Sequence, residues 1–232
     1  TQTPIVLAGF NAIRSDLGVS ITTNRPSLNA GANAFTTGTN VDVYNFSVTG
    51  TGSPTVSVGT SSKIINAKVV NTSTTAGRAA VILGSNALAL HCELVSYRGP
   101  AGFSSSNNSA IVYSFLHDSD KGFTTSVTTQ SITLLGNIIA NNVTAAIATS
   151  AAMSGRFNII GNTLYGAENK LGIGVSLATG TTNVWLLNNV LAGFVTGVSH
   201  ADVQNVGVDN YNAYYNNTTD VSNWVNGLHD SV

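Results

Sequence analysis

The chain has 232 residues, 9 Lys and Arg against 10 Asp and Glu, and only 8% charged residues, about a third of the usual globular share. A net charge of −1 argues against a nucleic-acid partner, since phosphate binding needs clustered Lys and Arg. No apolar run is long enough to span a membrane, no signal peptide is evident, and a single cysteine, Cys92, leaves no intrachain disulfide.

Asn, Thr and Ser supply 27, 28 and 25 residues, so the surface is neutral and rich in amides and hydroxyls. The chain opens at Thr1 without a Met, which reads as a processed product or a fragment. Residues 1–40 are expected to form an N-terminal cap and an irregular first coil. Val6, Phe10, Ile13 and Leu17 fall at helical spacing, with Thr3 as N-cap, Pro4 at the first helical position and Gly18 as a stop. This predicts a capping helix over 3–18. An extra irregular strand is the alternative, because Gly9 and the Thr-rich stretch beyond weaken a helix.

From residue 41 to 221 the chain repeats. Residues 132–143 read ITLLGNIIANNV, 157–164 FNIIGNTL, 184–191 VWLLNNVL and 208–217 VDNYNAYYNN. Aligned on the shared asparagine, Asn137, Asn162, Asn189 and Asn212 form one column, spaced 25, 27 and 23 residues apart. Stepping back at the same period reaches Ser114, Glu93, Lys68 and Asn45, which makes eight copies. A period of this length marks a stacked solenoid. Apolar residues alternate on either side of the asparagine, as strands require, and the break between them predicts a bend. Stacked about 4.8 Å apart, the asparagine amides can bond one another as a ladder, since each both donates and accepts. Lys68 and Glu93, in adjacent coils, are expected to pair unless the register slips there by one.

GNIIANN, GNTLYG and NNVLAG resemble the repeats of right-handed parallel β-helix proteins, the pectate-lyase-like group, over about residues 41–221. The resemblance implies an all-β, right-handed parallel β-helix of about eight coils. It implies little about activity, because that architecture serves enzymes, adhesins and viral appendages alike.

Residues 222–232 read as a tail or the start of a continuing segment. Trp224 could fold over the last coil, yet no capping element is evident, so a partner subunit or further chain is expected there.

The few charges gather just after the ladder column. Tyr97 and Arg98 lie in one coil, and His117, Asp118, Asp120 and Lys121 in the next. Asn141 and Asn142 follow, then Tyr165, Glu168 and Lys170. As catalytic candidates, Asp118, Asp120, Arg98, Lys121 and His117 could supply acid and base for glycosidic cleavage, or hold Ca²⁺ against an acidic sugar as in lyases. As carbohydrate-binding candidates stand Tyr97, Tyr165, Glu168, Asn141 and Asn142. Against catalysis, turns are where a solenoid places its few charges for solubility, and the polysaccharide-cleaving relatives' patterns (an Asp-Asp pair, Gly-His-Gly, Arg-x-Lys) are absent. His91, His117, His200 and His229 lack metal-ligand spacing with one another or with Cys92. The expectation is therefore a non-catalytic structural or adhesive β-helix of a virion or cell surface that binds carbohydrate. It should need no cofactor and insert in no membrane, and it should assemble as a homo-oligomer (a trimer foremost) or with neighbouring virion proteins. A polysaccharide lyase or glycoside hydrolase is the alternative, the lyase alone calling for Ca²⁺.

Overall fold

A computed structural model of the protein describes residues 5–8, 27–129, 131–166, 172–202, 207–224 and 226–231. Each coil lays down three short strands. Ile132–Leu135, Ile138–Ala140 and Ala145–Thr149 follow one another around the axis. They pair in parallel with Phe157–Ile160, Thr163–Tyr165 and Ile173–Leu177 of the next coil. Repetition produces three nine-stranded sheets, and together they form a right-handed parallel β-solenoid of about eight turns. No helix occurs among the described residues.

Period-two alternation sends every second side chain inward. Ile111, Leu134, Ile159 and Leu186 stack from the first sheet, and Leu116, Ile139, Leu164 and Leu191 from the second, all without exposed surface. Truncating one of these to Ala costs about 2–5 kcal/mol.

The corner between first and second sheets has one construction throughout. Asn45, Asn66, His91, Tyr113, Gly136, Gly161, Asn188 and Tyr211 all take φ of 48–64°, the left-handed region that turns the chain in a single residue. The residue after each points inward: Phe46, Ala67, Cys92, Ser114, Asn137, Asn162, Asn189 and Asn212, all buried. Gly136 is doubly constrained, since a Cβ there would lie 2.4 Å from Tyr113 Cε1 of the preceding coil.

The ladder column is therefore corrected in its N-terminal half. Lys68 pairs with Glu93 and Glu93 with Phe115, one place past the column, whose members there are Phe46, Ala67 and Cys92. Because both residues shift together they remain neighbours, and Lys68 Nζ stands 2.6 Å from Glu93 Oε1.

In the C-terminal half the asparagines bond as a ladder. Asn137 donates to Asn162 Oδ1 from its backbone N at 2.9 Å and from Nδ2 at 3.0 Å, and Nδ2 also donates to Ile111 O at 2.9 Å. The pattern recurs from Asn162 to Asn189 and from Asn189 to Asn212. Toward the N-terminus hydroxyl and amide acceptors carry it on: Ser114 N donates to Asn137 Oδ1 and Cys92 N to Ser114 Oγ. A second column lines the corner between the second and third sheets. There Ser96 N donates to Ser119 Oγ, Ser119 N to Asn142 Oδ1 and Phe194 N to Asn217 Oδ1.

Both ends depart from expectation. Ile5–Ala8 is a strand in parallel pairing with Val41–Tyr44, so the helix predicted over 3–18 does not form at those four residues; the rest of it lies outside the described residues. At the other end the chain covers the last coil. Trp224 is buried and donates from Nε1 to Asp209 Oδ2 at 2.6 Å. Asp230 Oδ1 accepts from Asn212 N at 2.7 Å and from Asn212 Nδ2 at 3.3 Å. A carboxylate thus takes the place of the next ladder asparagine, and Ser231 bridges to Ala213 beside it.

Candidate functional site

Strand alternation leaves two outward rows on the second sheet. The row one place past the ladder runs Lys68, Glu93, Phe115, Ile138, Thr163, Val190 and Ala213. The row three places past it runs Val95, His117, Ala140, Tyr165, Ala192 and Tyr215. Neighbours within a row are one coil, about 4.8 Å, apart.

A polar network begins this face. Lys68 and Glu93 form the 2.6 Å ion pair, and His117 Nε2 lies 3.5 Å from the same Glu93 oxygen. His117 Nδ1 meets Asp118 Oδ2 at 2.7 Å. The imidazole also stacks on Phe115, two residues back on the same strand face, with centroids 3.9 Å apart. His117 is thus held by the Asp118 carboxylate and the Phe115 ring, while its Nε2 is buried near Glu93 without a hydrogen-bond partner. Both acids and the lysine keep substantial solvent contact, so these pairs are worth about 0–1 kcal/mol each.

The remaining catalytic candidates do not join this cluster. Asp120 Oδ1 accepts from Thr144 Oγ1 of the next coil. Lys121 opens the third-sheet strand Lys121–Thr125, and Arg98 is exposed in the preceding turn. Among the described residues no ion pair joins Arg98 or Lys121 to Asp118 or Asp120. No group of three His, Cys, Asp or Glu side chains among them is placed to hold a metal ion.

Of the carbohydrate-binding candidates, Tyr97, Tyr165 and Asn141 are exposed. Asn142 is not: it is 1% exposed, and its amide serves the second corner column, with Nδ2 donating to Leu116 O. Burial removes it from any surface site. Glu168 lies outside the described residues. Sequence reasoning missed Glu93 as a surface neighbour of His117, and it missed Phe115 and Tyr215. The signal for Tyr215 was present, since it stands three places past Asn212, as Tyr165 does past Asn162.

The most perturbed group sits at the C-terminal end. Asp209 takes the inward position that Leu186 holds one coil earlier, so it is a carboxylate at the end of an apolar stack. Burial foremost, then the nearby Asp230 carboxylate, pushes Asp209 up to about 7, against the lowering effect of its Trp224 hydrogen bond. Burial, followed by the charges of Asp209, Asp230 and Asp220, likewise pushes the Tyr214 phenol up. Asp209 and Asp230 brace the covering segment, accepting from Trp224 Nε1 and from the Gly227 and Asn212 backbone.

No protein-family model and no curated protein matches the chain, so the pectate-lyase-like resemblance is not supported as a membership. Among solved structures the fold is similar to the crystal structure of the Dettilon tailspike protein, with a TM-score of 0.51 at 10% identity. The match covers 88% of this chain and 51% of that one, so the chain spans about half that protein's length. Likeness at this identity speaks for the fold alone.

Proposed function

We propose that this chain is a non-catalytic, adhesive β-helix of a virion surface, a rod that offers its outward faces to carbohydrate and to neighbouring copies. The charged strip carries the reading. On a scaffold similar in fold to a tailspike protein, Asp118 is engaged by His117, Asp120 by Thr144, and Arg98 and Lys121 pair with neither. Glycosidic cleavage needs an acid and a base on either side of one bond, and these carboxylates are instead committed to local partners.

Self-association has its own support. Ile65, Leu90, Val112, Leu135, Ile160 and Leu187 form one outward apolar row on the first sheet. A second rod of the same sequence has the same coil spacing, so two such rows meet in register along their length. The open C-terminal end that the sequence suggested is no longer an argument for assembly, because Trp224 and Asp230 cover the last coil. A trimer is the form of assembly we favour.

The test is incubation with a panel of neutral and anionic polysaccharides, reading new chain ends. No cleavage is expected. Cleavage that Asp118→Asn with Asp120→Asn abolishes, without unfolding the rod, would establish an enzyme instead.

A further inference from the structure

The outward row three places past the ladder alternates: His117, Ala140, Tyr165, Ala192, Tyr215. We propose that this row is a binding platform for an extended, uncharged glycan whose chain runs parallel to the solenoid axis. The inference rests on the adhesive reading above and names the ligand class and the site.

The alternation is not what strand formation asks for. Alanine is among the residues depleted in strands, where β-branched and aromatic side chains pack best. Its return at every second coil leaves a notch on either side of Tyr165, with a half-buried floor at Ala192 and a buried one at Ala140. The rings themselves are free: Tyr165 is 38% exposed and Tyr215 73%. Aromatic groups exposed in a line, without a core to fill, are the side chains that dominate contact surfaces.

Spacing selects the ligand. Aromatic positions recur every two coils, about 9.6 Å, close to the length of a disaccharide in an extended β-linked chain. Every second sugar could then lay its C–H face on a ring while the sugar between settles over an alanine. A coiled or sharply branched glycan would leave the row after one contact.

The flanks select further. Asn141 and Asn216, exposed at left-handed corner positions with φ of 56° and 53°, follow the row on one side. They offer amides that both donate to and accept from hydroxyls. Asp118 occupies the same corner position beside His117. On the outward face of this sheet the one cation among the described residues is Lys68, already paired with Glu93. Nothing there compensates a uronic or sialic acid, so an anionic chain would meet Asp118 and Glu93 unpaid for by any free positive charge.

The experiment is affinity electrophoresis of the folded chain in native gels containing hydroxyethyl cellulose, soluble starch or polygalacturonate. Retardation by hydroxyethyl cellulose is expected, with little by starch and none by polygalacturonate. Tyr165→Ala and Tyr215→Ala should each weaken it about tenfold, the scale of one aromatic contact. Ala192→Arg should abolish it by filling the notch, while Tyr113→Asn, an exposed ring at the other corner of the coil, changes nothing; unchanged melting temperatures certify the variants. Retardation by polygalacturonate alone, or by no gel, overturns the platform. Retardation indifferent to Tyr165 and Tyr215 also overturns it but leaves the adhesive reading standing. Cleavage of the gel glycan would overturn the non-catalytic reading while leaving the platform in place.

Discussion

The two halves of the ladder column solve one corner in two ways. From Asn137 to Asn212 the inward residue is an asparagine, and from Asn162 onward its Oδ1 accepts both a backbone N–H and a side-chain amide from the coil before it. From Phe46 to Cys92 the same inward position holds an aromatic ring, a methyl and a thiol, yet the left-handed residue before it and the strands on either side are unchanged. The corner is thus set by backbone geometry and by the need to fill space. The amide ladder is one way of filling it, and it makes each coil depend on the next.

That contrast breaks most directly at Asn162. Asn162→Ala removes the acceptor for two Asn137 donors at once. Stranding buried donors costs about 1–3 kcal/mol each, so a loss of about 3 kcal/mol is expected in denaturant melts. Cys92→Ala, in the other half, should lose about 1 kcal/mol. Equal losses would mean the amides are not coupled.

Next in size is the pH response of the end where an acid, Asp230, closes the ladder. Asp209 has a folded pKa of about 7, above its unfolded value. Its contribution to stability is therefore fully present below about pH 4. That contribution is lost as pH rises through about 7, when the ionised Asp209 faces Asp230 in a desolvated layer. Trp224 fluorescence in a Trp185→Phe background should report loosening of the covering segment across that window. Asp209→Asn should flatten the response; a segment equally tight at pH 4 and 8 would contradict this.

Smaller effects sharpen the comparison at the turning residue. His91 holds a left-handed φ of 54° with a bulky side chain, where asparagine is better tolerated. His91→Asn should stabilise by about 0.5–1 kcal/mol, read as a raised melting temperature. Smallest is Lys68→Ala, which breaks a solvent-exposed ion pair and should cost less than about 1 kcal/mol.

The same contrast explains what could be read in advance. Where the corner was filled with asparagine, the column stood out at Asn137, Asn162, Asn189 and Asn212, and strand alternation around it revealed the coils. Where the filler was Ala67 or Cys92, nothing in the residue type marked the column. The charged neighbours Lys68 and Glu93, one place past the column, are the more conspicuous pair there. Turning residues such as His91, Tyr113 and Tyr211 carry no turn signature either, because the surrounding strands impose their φ. Asp230 escaped notice because it lies 18 residues past Asn212, shorter than any coil, and reaches the ladder by folding back. The aromatic row needed only the correct register, since it stands three places past the column. The convergence of Asp118, Asp120, Arg98 and Lys121 that the catalytic alternative requires does not form, because Asp118 bonds to His117 of its own coil and Asp120 to Thr144 of the next.

The adhesive role proposed for this rod places it on the outside of a virion. Electron microscopy of the native particle from its source, labelled with antibody to the folded chain, tests it most directly. Label at projecting surface appendages is the predicted result. Particles without label, with the chain recovered only free of them, would contradict it.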